Sequence, residues 1–114
     1  RASGLDVAVE TTGARYDLPP GIDLAAYRIV QEGLTNALRH SGARHARVLL
    51  GYEPSRLEIV VEDDGRGLTS AAPGGHGLVG VRERVALYDG TVEVGPGPSG
   101  GVRLAASLPV KESA

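Results

Sequence analysis

The chain has 114 residues, with twelve Lys and Arg against fourteen Asp and Glu. The formal net charge of −2 and a pI near 5.9 give no reason to expect nucleic acid or an anionic membrane as the main partner. The absence of Cys excludes disulfides and thiolate metal sites and fits a cytoplasmic setting.

No apolar run approaches the roughly 20 residues that span a bilayer, and no signal-peptide pattern appears. The length predicts one domain over residues 1–114. Strand-like sequence begins almost at Arg1, so the chain reads as a piece of something longer. Trp, Phe and Met are absent, which leaves Leu, Val, Ile, Ala and a few Tyr to build the core.

Leu5 to Glu10 alternates and predicts a strand, with Thr11-Thr12-Gly13 as its turn. Pro19-Pro20-Gly21 breaks the chain, and Asp23 then caps a helix that runs to about Ser41, where Gly42 ends it. Ile22, Ala26, Ile29, Val30, Gly33, Leu34 and Ala37 form the apolar stripe of that helix. His45 to Gly51 and Arg56 to Glu62 read as two strands joined through Pro54-Ser55. Leu68 to Gly75 is a loop, and Leu78 to Tyr88 a second helix. Thr91 to Val94 and Val102 to Leu108 close the domain as a hairpin around a Gly- and Pro-rich turn. This order predicts an α/β (α+β) two-layer sandwich with helices on one face of the sheet.

Three stretches carry chemistry. On the first helix, Glu32, Asn36 and Arg39 fall within an arc of about 60° beside the apolar stripe. A carboxylate and a carboxamide four residues apart offer oxygen ligands to Mg²⁺, and Arg39 is placed to meet phosphate. An ordinary solvated helix edge has the same look. His40 lies near the stripe, and His45 has no partner at metal-ligand spacing. The run Val61-Glu62-Asp63-Asp64-Gly65-Arg66-Gly67 begins as a strand, with Leu57, Ile59 and Val61 to one side, and ends in carboxylates followed by glycines. A carboxylate at such a turn accepts a hydrogen bond from a planar donor such as the adenine amine, and glycine admits close approach. An Asp-Gly hairpin turn explains the dipeptide equally well on its own.

Gly75-His76-Gly77-Leu78-Val79-Gly80 matches G-x-G-x-x-G, but a loop and not a strand leads into it. Too little chain follows to build a doubly wound sheet. What remains is a glycine-rich segment opening a helix, a natural place for phosphate.

In order and spacing these stretches resemble the ATP-binding domain of two-component sensor histidine kinases. Glu32 to His40 resembles the N box, Asp64-Gly65-Arg66-Gly67 the G1 box, and Gly75 to Arg84 the glycine-rich lid. Gly100-Gly101-Val102-Arg103-Leu104 with Leu108-Pro109 is similar to the closing glycine-box strand. The likeness runs from about Ala25 to Val110, and the Arg-His after Asn36 is similar to kinases that partner helix-turn-helix response regulators.

The resemblance implies the Bergerat fold, a mixed, mostly antiparallel sheet covered on one face by helices. It implies that Asp64 accepts from adenine N6 with Gly65 and Gly67 beside it, and that Asn36 holds Mg²⁺ with Glu32 as polariser or proton acceptor. Arg39 and His40 would contact phosphate, and Gly75, His76, Gly77, Leu78, Val79 and Gly80 would fold over the triphosphate. The implied reaction moves the γ-phosphoryl group of ATP to a histidine on a separate dimerisation and phosphoacceptor domain, and then to a response regulator.

The chain departs from the pattern at Val102, where the family often has Thr; Ser99 and Ser107 are the candidates to supply the lost hydroxyl. None of His40, His45 and His76 lies in an acceptor-like context, so this piece is expected to bind ATP without carrying its acceptor. Two other readings keep the nucleotide. One is a stand-alone anti-sigma-type Ser/Thr kinase of the same fold, and the other a non-catalytic adenine-nucleotide-binding module.

Overall fold

A computed structural model of the chain describes residues 5–39, 42–65, 75–98 and 100–110. These form five strands and two helices: β1 (Asp6–Thr12), α1 (Pro20–Arg39), β2 (His45–Glu53), β3 (Arg56–Asp63), α2 (Gly75–Ala86), β4 (Thr91–Pro96) and β5 (Val102–Pro109). The strands make one sheet in the order β1-β2-β3-β5-β4. β1 and β2 run parallel and the other neighbours antiparallel. Parallel neighbours need a crossover, and α1 provides it. The two-layer sandwich with a mixed sheet is the architecture expected from the sequence.

Several boundaries differ from expectation for local reasons. α1 starts at Pro20, three residues before Asp23. Proline is tolerated in a first helical turn because the N–H it lacks would have no intrahelical acceptor. The first i→i−4 bond therefore runs from Asp23 N–H to Pro19 C=O, at 2.9 Å. Asp23 lies inside the first turn, where its charge suits the helix dipole. At the other end Gly42 adopts φ 64°, and Ala43 N–H donates back to Ala37 C=O at 3.3 Å.

α2 also begins three residues early, at Gly75, and it ends at Ala86 instead of Tyr88. Gly90 N–H donates to Val85 C=O at 3.0 Å and Asp89 N–H to Ala86 C=O at 3.1 Å. With Asp89 at φ 60°, this is a Schellman stop, which usually carries glycine at that position.

The core lies between the helices and one face of the sheet. Ile29 of α1, Val48 of β2, Leu57 and Ile59 of β3, Val85 of α2 and Leu108 of β5 are its largest fully buried side chains. Burying each aliphatic side chain of this kind contributes about 1.5–3 kcal/mol. A smaller cluster of Leu5, Ala37 and Ala46 closes the end of α1 where β1 enters. The alternation read in β3 holds throughout: Leu57, Ile59, Val61 and Asp63 are buried, while the residues between them face the uncovered side.

On that uncovered side, Glu62 receives Arg103 at 3.2 Å and Arg47 at 3.8 Å, and Arg47 also meets Glu10 at 2.9 Å. Ser107 donates its hydroxyl to Glu58 at 2.8 Å on the same face. β1 departs most from its expected alternation, for it is an edge strand and Val9 is 62% exposed.

Candidate nucleotide site

Two buried polar side chains stand out against the aliphatic core: Asn36, 8% exposed, and Asp63, 6% exposed. Their elements bring them to one end of the sandwich. Gly33 of α1 rests against Val61 of β3. Asn36 comes one helical turn after Gly33, and Asp63 two strand residues after Val61. Glu32, half-buried, precedes Asn36 by one turn on the same helix.

Asp63 is held from both sides of the site. Its Oδ1 accepts from Gly65 N–H at 2.8 Å and from Val102 N–H at 3.3 Å. Gly101 lies so close to Asp63 that a Cβ there would collide with both its main-chain carbonyl and Oδ1. Glycine is therefore required next to this carboxylate, since only bare backbone fits.

Asp64, to which the resemblance gives the adenine contact, is bonded instead to the entry of β2. Its Oδ1 accepts from Arg44 N–H and His45 N–H, both at 2.9 Å, and its Oδ2 lies 2.7 Å from His45 Nδ1. The backbone N–H of His45, the His45 ring and the N–H of Arg44 together pull the Asp64 carboxyl down to about 2. Strand geometry is the cause of the difference. Successive side chains alternate between faces, and β3 continues in phase to Asp63, so Asp63 points to the helix side and Asp64 leaves the ladder toward the start of β2.

The period of two in Leu57, Ile59 and Val61 was the signal that singles out Asp63. His45, read as partnerless for a metal, has Asp64 as its partner, a contact the sequence does not announce.

The remaining sequence-derived residues are placed as follows. Gly65 adjoins Asp63 through its N–H. Gly75, His76, Gly77, Leu78, Val79 and Gly80 occupy the first turns of α2 and are not loop. Gly80 is exposed with open space around it, so packing does not require glycine there. The side chains of Arg39 and of residues 75–79, and the whole of His40, Gly67 and Ser99, lie outside the described residues. Val102 lacks the family's hydroxyl, but its backbone N–H reaches Asp63 directly. Ser107 does not take over that role, because its hydroxyl serves Glu58 on the uncovered face.

A helix-covered mixed sheet with a buried carboxylate at its glycine-lined end defines a class of nucleotide-binding proteins. The chain belongs to the family of histidine kinase-, DNA gyrase B- and HSP90-like ATPases, which it matches over residues 21–112. Within that family its relatives are sensor histidine kinases, which makes it an ATP-binding domain of that kind.

It is 35% identical over 109 residues to the sensor histidine kinase YxjM of Bacillus subtilis, covering 95% of this chain and 27% of the relative. It is 30% identical over 110 residues to the signal transduction histidine-protein kinase/phosphatase DegS of Brevibacillus brevis, covering 95% and 28%. The chain thus spans about a quarter of the length of these relatives.

Among solved structures, the ATP binding domain of PrrB from Mycobacterium tuberculosis superposes with a TM-score of 0.67 at 25% identity, covering 96% of this chain and 82% of that one. Full-length ShkA in complex with AMPPNP shares the fold, with a TM-score of 0.76 at 19% identity, covering 99% and 27%. No helix among the described residues is long and apolar enough to cross a membrane.

Proposed function

We propose that the chain is one domain of a longer kinase, that it binds ATP with the adenine amine against Asp63, and that it delivers the γ-phosphoryl group to a histidine on a separate dimerisation domain. The observation that carries this reading is the buried Asp63 carboxylate, fixed by Gly65 and Val102 at the same end of the sandwich as Asn36. An acceptor oriented by backbone donors discriminates a base by its exocyclic amine. Asp63 therefore replaces Asp64 as the proposed base contact, with Gly65 beside it and Gly67 two residues further in the sequence.

The donor set at the other side of the site suits Mg²⁺. Asn36 brings a carboxamide oxygen and Glu32, one turn earlier, a carboxylate, and hard cations take oxygen ligands. The ion would neutralise triphosphate charge, while Glu32 polarises or accepts a proton from the attacking group. Arg39 and His40, which follow on the same segment, are the proposed phosphate contacts. The first turns of α2, from Gly75 to Gly80, present helix N-terminal N–H groups to the same anion. Catalysis in such a site rests on positioning and on charge neutralisation at the γ-phosphoryl group. The sandwich would work in the cytoplasm, passing its phosphoryl group through the dimerisation domain to a response-regulator aspartate.

Calorimetric titration with Mg·ADP, Mg·ATP and Mg·GTP tests the reading. Saturable binding of the adenine nucleotides in preference to GTP is expected. Phosphoryl transfer to a supplied acceptor domain then tests the kinase reaction. Binding without transfer would leave a regulatory nucleotide module, and no binding by the folded protein would remove the reading altogether.

A further inference from the structure

We propose that His45 and Asp64 form a latch that fixes the turn holding Asp63 and so sets how well the site grips the adenine base. The inference rests on the reading of Asp63 as the base acceptor, and it gives the two residues a positioning role without contact to nucleotide.

The geometry runs in one connected path. β3 pairs with β2 up to Asp63, opposite Ala46. One residue further on, Asp64 N–H donates to His45 C=O at 3.2 Å. The Asp64 carboxylate then takes the N–H groups of Arg44 and His45, at the entry to β2, and the His45 ring closes over its second oxygen. Four contacts therefore converge on one residue, immediately before Gly65. Gly65 in turn supplies the shorter of the two backbone bonds to Asp63 Oδ1, at 2.8 Å against 3.3 Å from Val102. Release of Asp64 frees the backbone that carries Gly65, and Asp63 loses the shorter of these two bonds.

The latch reaches the strand beyond as well. Asp6 N–H donates to Arg44 C=O at 2.9 Å, and the Asp6 carboxylate lies 3.9 Å from His45 Nε2. The starts of β1 and β2 and the end of β3 are thus tied at one corner. Asp64 accepts there from exposed N–H groups that the sheet ladder leaves over. An aspartate at this corner therefore has a structural reason independent of any ligand. Its consequence for function comes through Gly65.

Titration of the chain and its variants with adenosine, ADP and GDP, without metal, tests the latch. Asp64→Ala is expected to weaken adenosine and ADP by the same factor, about tenfold, and to leave GDP unchanged. His45→Gln removes the ring contact alone and should cost about threefold. Asp64→Asn keeps an oxygen for the two backbone donors and should restore most of the affinity lost in Asp64→Ala.

The decisive comparison is made in an Asp63→Asn background. There Asp64→Ala and His45→Gln should cost nothing further, because they act through Asp63. Losses that multiply with that of Asp63→Asn, or that fall equally on GDP, overturn the latch. Should Asp64→Ala fail to fold, the same comparison with His45→Gln decides. If Asp63→Asn alone binds adenosine as tightly as the parent chain, the assignment of the base to Asp63 fails first, and the latch fails with it.

Discussion

Gly33 of α1 lies directly against Val61 of β3: a Cβ built on Gly33 would lie 2.8 Å from Val61 Cγ1 and 2.9 Å from Val61 Cβ. Two opposed effects meet at this position. Alanine favours a helix over glycine by about 1 kcal/mol, whereas overpacking a filled core costs about 1–3 kcal/mol. Val61 sits on a paired central strand and its Cβ cannot yield, so packing wins. Gly33→Ala should lower stability, by up to about 2 kcal/mol, measured by urea denaturation. An unchanged or raised midpoint would mean that α1 rides up from the sheet at no cost.

The contact matters for the site because Gly33 sets the height of Asn36. Asn36→Ala should weaken ATP binding in the presence of Mg²⁺ far more than it weakens adenosine binding without metal. Titrations with and without the ion give the two numbers directly. Equal losses in both would assign Asn36 to packing instead of metal.

On the sheet side of the site, Asp63→Asn keeps the shape of the side chain and removes its charge. The amide can turn its NH₂ toward the base amine, and a bond of about 1.5–3 kcal/mol is lost. ADP affinity should fall roughly ten- to a hundredfold, with the preference over GDP largely erased. Retained preference would assign base recognition to another residue.

Acid behaviour follows from Asp64. Its carboxyl is lowered from an ordinary 3.8 to about 2 by the His45 and Arg44 donors. The unfolded chain therefore takes up this proton first as pH falls. The stabilisation is complete above about 4 and is lost progressively as pH drops toward 2. Thermal melts of the parent and of Asp64→Asn across that window should converge as pH falls. Parallel curves would show that the contacts at this corner do not hold the charge.

The end of α2 offers a stabilising change. Asp89 sits at φ 60° in the Schellman stop, a conformation that costs most side chains about 1–2 kcal/mol and glycine nothing. Asp89→Gly should raise stability by about 0.5–1 kcal/mol, after allowing for the freer unfolded chain. A melting temperature that falls would show that the aspartate makes a contact worth more than its strain.

Much of this molecule is legible in its residues taken one stretch at a time. Alternation places the strands, the spacing of Ile22, Ala26, Ile29 and Ala37 gives the buried face of α1, and the glycine-rich boxes in their order point to a nucleotide. Boundaries were harder, because Pro20 and Gly75 weaken a helix by propensity yet begin one here, where first-turn N–H groups have no intrahelical acceptor to lose.

By itself the sequence determined the fold class, the ATPase family and the segment in which the proposed base acceptor lies, since these depend on short-range periodicity and motif order. Only the tertiary structure shows Asp63 buried between Gly65 and Val102 and Asp64 bound to Arg44 and His45. Their fates are set by partners 39 and 20 residues away, Val102 N–H for one and Arg44 N–H for the other. Periodicity says which face a side chain points to only while the strand lasts. Where β3 stops is fixed by the start of β2 and by Gly101 just ahead of β5, which meet it only when the sheet has formed.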